Sequence, residues 1–182
     1  MGSLFSLIKG WPGKPSHPPL TDASIGAYTV GVAMLVAGAL GLEEQQMAHG
    51  ALLAIGGGLA LAGPTALTGL LDWLGTEKGT PWRRTATIHL IVMLSATVLF
   101  ALTFIAQLDG YDEGSIEALP LILGLVALAT LATGGWIGGT MVYVYGVRVL
   151  KREDVPVTDA LIPGRTPPEE ETPGRPPAGT RP

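Results

Sequence analysis

The sequence predicts an all-α fold, a four-helix transmembrane bundle followed by a disordered, proline-rich C-terminal tail. Of 182 residues, 47% are hydrophobic and only 14% charged, with a mean hydropathy of +0.41, far from the balance of a soluble domain. Four stretches contain no Asp, Glu, Lys or Arg: Ala23–Leu42, Gly50–Leu71, Thr85–Leu108 and Ala118–Val147. Each reaches the ~20 residues that a helix needs to cross a hydrocarbon core. They are apolar all round, whereas helices of a soluble bundle keep a polar face.

Residues 1–16 form an N-terminal segment in which Phe5 and Trp11 suit anchoring at the membrane interface. Met1 to Ile8 holds too short an apolar run for a cleaved signal peptide. Residues 17–150 form the membrane domain, with spans expected over about 20–42, 50–73, 85–108 and 118–148. Helices in lipid associate where small residues let backbones approach. This singles out Gly31 after Ala23 and Ala27 in the first span, Gly58 in the second, and Gly135 and Gly139 from the Gly134-Gly135 and Gly138-Gly139 pairs of the fourth. The same motifs leave a homo-oligomeric contact open, because a small-residue pattern does not say which helix it faces.

In the second span Gly63-Pro64 predicts a kink. Gly58, Leu61, Thr65, Thr68 and Asp72 recur at helical spacing, a polar stripe expected to face the bundle interior. The fourth span exceeds the length a crossing requires, which places Tyr143 and Tyr145 near the interface before Arg148. From residue 151 to 182 the chain turns polar, with Pro156, Pro163, Pro167, Pro168, Pro173, Pro176, Pro177 and Pro182. A segment of that composition cannot bury enough apolar surface to offset its ordering entropy.

Charge sets the expected orientation. Glu43, Glu44, Asp109, Asp112, Glu113 and Glu117 lie in two turns that lack Lys and Arg, while Lys9, Lys14, Lys78, Arg83, Arg84, Arg148, Lys151 and Arg152 fall on the other side. The positive-inside rule therefore puts both termini in the cytoplasm of a multi-pass inner-membrane protein.

With no cysteine, the chain can carry no disulfide, thiolate zinc site, Cys-ligated iron–sulfur cluster or Cys nucleophile. No ionisable Asp, Glu, Lys or Arg falls mid-span, as ion transport would normally require. Nucleic-acid binding has no support beyond Arg83-Arg84. No catalytic constellation stands out, so an accessory or structural membrane role is favoured over an enzyme. One group is chemically suggestive. The topology brings the starts of spans one and three beside the end of span two, so His17, Asp72 and His89 share one membrane level and His49 lies at the opposite end. The three offer ligands for a divalent metal, and the two histidines offer axial ligands for a haem. The favoured reading of the group is a structural hydrogen-bond cluster closing the cytoplasmic end of the bundle, with Asp72 paired to a loop arginine, Arg83 or Arg84.

His17-Pro18, Gly69-Leu70-Leu71-Asp72-Trp73, Arg84 with His89, and Gly138-Gly139-Thr140-Met141-Val142-Tyr143 occur in that order. From about His17 to Val149 the chain resembles a bacterial integral membrane family catalogued as domain of unknown function 2231. Some members of that family are joined to or encoded beside Rieske-type iron–sulfur domains. The resemblance therefore implies a redox setting, in which the iron–sulfur centre must belong to a partner because this chain has no Cys.

Overall fold

A computed structural model describes residues 8–11, 13–150, 155–163 and 165. Phe5, Lys151, Arg152 and most of the segment expected to be a disordered tail lie outside the described residues. A two-stranded hairpin, β1 (Gly10–Trp11) and β2 (Lys14–Pro15), leads into α1 (His17–Ala39). There follow α2 (Glu44–Leu74), α3 (Pro81–Ala106), the short α4 (Leu108–Glu113), α5 (Ala118–Tyr143) and α6 (Val157–Leu161). Four of these helices, α1, α2, α3 and α5, are long and apolar enough to cross a membrane.

Local chemistry fixes the ends. Pro18 and Pro19 open α1, where the missing N–H groups have no helical partner to lose. Gly41 closes it in the left-handed conformation (φ 84°), with Leu42 N–H donating to Ala37 O (3.1 Å) and Gly41 N–H to Gly38 O (2.8 Å), a Schellman turn. That turn ends the first span earlier than its charge-free run. Thr80 caps α3, its hydroxyl accepting from Arg83 N–H at 3.2 Å. α2 begins before its charge-free stretch because Glu44, Gln45 and Gln46 continue the helix, and it runs unbroken through Pro64. The turn after α3 holds α4, which ends at Gly114 (φ 70°).

α1 packs mainly on α2 and α3 on α5, giving two hairpins that meet more sparsely across the bundle axis. The core lies between them. Tyr28 (2% exposed) and Phe100 (0%) stack face to face with ring centroids 3.9 Å apart, surrounded by Val32, Leu35, Ile55, Ala127 and Leu131. The outward faces carry exposed Leu53, Ile91, Val98, Ile105, Ile122 and Trp136 (82%). So continuous an apolar exterior fits lipid as its solvent.

Gly31 and Gly58 are packing positions. An added methyl at Gly31 would lie 2.6 Å from Ile55 Cγ1, and one at Gly58 would lie 2.6 Å from the Tyr28 ring. Gly135 and Gly139 make no such contact with another helix of the same chain among the described residues. Nothing lies within 4 Å of a methyl at Gly135, and one at Gly139 meets only Tyr143 of its own helix. The adjacent pair does the packing, Gly134 against Met93 and Val92, and Gly138 against His89. Four glycines in two adjacent pairs offer two faces about 100° apart, and spacing alone does not choose between them.

Candidate functional site

The end of the bundle that receives the β-hairpin holds two histidines in matching settings. His17, the first residue of α1, donates from Nδ1 to the Thr65 carbonyl of α2 at 3.0 Å, with Thr68 Oγ1 at 3.2 Å. His89, in the third turn of α3, donates from Nδ1 to the Gly134 carbonyl of α5 at 2.9 Å. A carbonyl oxygen can only accept, so each Nδ1 carries a proton, and in the neutral ring Nε2 is left with a lone pair. Thr21 Oγ1 sits 3.4 Å from Nε2 of His17, but its hydroxyl makes its shorter bond, 2.9 Å, to the His17 carbonyl.

The two hairpins repeat the same construction. On the second helix of each, a glycine stands four residues after the accepting carbonyl, Gly69 after Thr65 and Gly138 after Gly134. In each case the glycine makes room for the ring. An added methyl would come within 2.8 Å of His17 Cε1 or 3.0 Å of His89 Cε1. On the first helix of each, an aromatic residue stands eleven positions after the histidine, Tyr28 after His17 and Phe100 after His89. These two aromatics are the pair that stacks in the core.

Both histidines line one cavity of about 390 Å³ between the hairpins, within the size range of small-molecule sites. Ile25, Leu90, Met93 and Leu131 give it apolar walls, and Tyr28 lines it with a buried hydroxyl that has no hydrogen-bond partner. Three turns of helix separate Tyr28 from His17, so it marks the deep end. Lys9, Asp72 and Arg148 line the opposite, partly exposed end.

Asp72 lines the same cavity as the two histidines but has other partners than those expected. Its Oδ1 lies 2.5 Å from Arg148 Nη2 and 3.6 Å from Lys9 Nζ, and neither Arg83 nor Arg84 pairs with it. Arg83 turns instead to the Trp73 carbonyl and the Thr76 hydroxyl, with its guanidinium 3.6 Å over the Trp73 ring. That stacked, multiply bonded position closes the α2–α3 turn and holds the guanidinium over Trp73, turned to the turn's own groups instead of Asp72. Arg148 was legible as the end of the fourth span; the ends of α2 and α5 lie on the same side of the bundle, which makes it the nearer partner. Among the described residues no three His, Asp or Glu side chains converge on one point as a metal site requires. His17, Asp72 and His89 share the cavity without forming such a set. His49 sits at the far end, its Nε2 2.8 Å from the Tyr111 carbonyl and its ring against Tyr111.

Neither a curated protein nor a solved structure shows significant similarity to the chain. Residues 13–151, which include β2, all four long helices, His17, His89 and Arg148, match the sequence model of a family described as predicted membrane protein, domain of unknown function 2231, and the chain belongs to that family.

Proposed function

We propose that the protein is a b-type haem carrier of the bacterial inner membrane, with His17 and His89 as axial ligands, passing electrons to or from a partner. The observation that carries this reading is the pair of Nδ1–H bonds to the Thr65 and Gly134 carbonyls, which leaves two Nε2 lone pairs at one cavity. A backbone carbonyl bonded to the far nitrogen orients a ligating imidazole and raises its basicity. The donor set fits a haem better than a bare ion, because two nitrogens from opposite hairpins suit the two axial positions of a planar macrocycle, whereas an ion needs a third ligand. Haem would supply one-electron chemistry there. The chain's own part is to hold the two rings, exclude water with Ile25, Leu90, Met93 and Leu131, and keep the ligand between the hairpins. Any iron–sulfur centre in the same pathway belongs to the partner, because this chain has no cysteine.

The test is the absorbance of full-length protein purified in detergent from haem-sufficient cells. A low-spin haem spectrum at about one haem per chain is the expected result. A colourless protein that also fails to take up added haem would instead favour a purely structural pair of histidines closing the end of the bundle.

The same reading places both termini in the cytoplasm. Lys9, Lys14, Lys78, Arg83, Arg84 and Arg148 lie at the histidine end, and the turns at the far end carry acids without Lys or Arg. A reporter active only in the cytoplasm should work when fused after Lys78. Activity there of a reporter that functions only outside would reverse the orientation.

A further inference from the structure

The exposed end of the cavity holds a feature that two axial ligands do not require. Arg148 lies beyond α5, after a turn in which Gly146 has φ 65° and Val147 N–H donates to Met141 O at 3.1 Å. Arg148 itself has φ 60°, a conformation that costs an L-residue about 1 kcal/mol or more and persists only where the surroundings impose it. Leu150 follows, packed against Gly13 in the β-hairpin turn, so the segment after α5 is pinned across the end of the bundle. The result is a guanidinium that lines the cavity. Its side chain is about a quarter exposed, and its Nη2 bonds to a single oxygen of Asp72. A guanidinium has five N–H donors in a planar fork, so most of them remain for another acceptor.

Resting on the haem reading, we infer that Arg148 takes a carboxylate at the edge of the bound macrocycle, so that the site selects a porphyrin with free acidic side chains and holds its acid edge toward Asp72. Among the described residues the lysine and the arginine on the cavity wall, Lys9 and Arg148, are both at this end. The deep end offers Tyr28, Leu131 and Met93, where an ionised carboxylate would be buried without a cation. Electrostatics therefore fixes one orientation. Asp72 acts as a positioning residue, holding the guanidinium over the cavity through its Oδ1. The fork geometry of Arg matches a carboxylate in two parallel bonds, which a lysine provides only as a point charge.

The experiment compares haem b with its dimethyl ester, which has the same iron, ring and axial chemistry but no acid groups, on the full-length protein in detergent. Dissociation rates are measured by transfer to an excess of acceptor apoprotein. Wild type should release the ester about tenfold faster than haem b, in keeping with one charge-assisted hydrogen-bonded pair. Arg148→Gln should bring the two rates together, and Arg148→Lys should restore part of the difference. Equal release of ester and haem b from wild type overturns the inference while leaving the axial ligands standing, and this arm needs no variant to fold. If wild type binds neither compound, the haem reading fails and the inference fails with it.

Discussion

Replacing His89 by alanine is expected to abolish the low-spin haem spectrum, leaving protein that binds haem weakly and through one imidazole. Loss of a partner in a metal's outer shell costs roughly 10–100-fold in affinity, and loss of an axial ligand should exceed that. His17→Ala should do the same, because the two rings occupy equivalent places on the two hairpins. His49→Ala is the control. It removes a hydrogen bond to the Tyr111 carbonyl at the far end, a change of about 1 kcal/mol in stability, and should leave the spectrum intact. A His89→Ala protein with the wild-type spectrum would show that the iron is held elsewhere.

Gly31→Leu should lower stability in detergent by about 1–3 kcal/mol, whereas Gly135→Leu should change it by less than about 0.5 kcal/mol. At Gly31 a side chain meets Ile55 Cγ1 at 2.6 Å, with the Ala51 carbonyl and the Ile55 amide at 3.3 Å, so the α1 and α2 backbones must separate. At Gly135 a side chain points into open space. In a bilayer there is little hydrophobic force to pull separated helices together again, so lost close packing is not recovered. Thermal unfolding of both variants gives the comparison, and equal losses would mean that Gly135 meets a second copy of the chain.

Hydropathy and charge were enough to read the four long helices, because a membrane span must be apolar over its whole length. The ends were harder. The Schellman turn at Gly41 depends on a backbone conformation and not on polarity, and α2 gained Glu44, Gln45 and Gln46 because a helix can continue into the headgroup region. α4 is too short to show a periodic pattern. In the site, antiparallel topology was sufficient to bring His17, His89 and Asp72 to the wall of one cavity. What it did not supply was partner choice. Arg83 was absorbed by Trp73 and Thr76, and Arg148 reached Asp72 from a turn whose left-handed backbone leaves no clear mark in the sequence. The roles of Gly69 and Gly138 became visible only once the Thr65 and Gly134 carbonyls were seen to hold the rings.

The two hairpins touch each other less than the helices within each do, and each contributes one histidine to the gap between them. A ligand joined to both rings is therefore a cross-brace between halves that otherwise rest mainly on the Tyr28–Phe100 stack and its neighbours. Docking of the halves then becomes a matter of mass action. Ligand at about a hundred times its dissociation constant would add about 2.7 kcal/mol to the assembled bundle, so supply of such a ligand would govern how much of the chain survives as one folded unit.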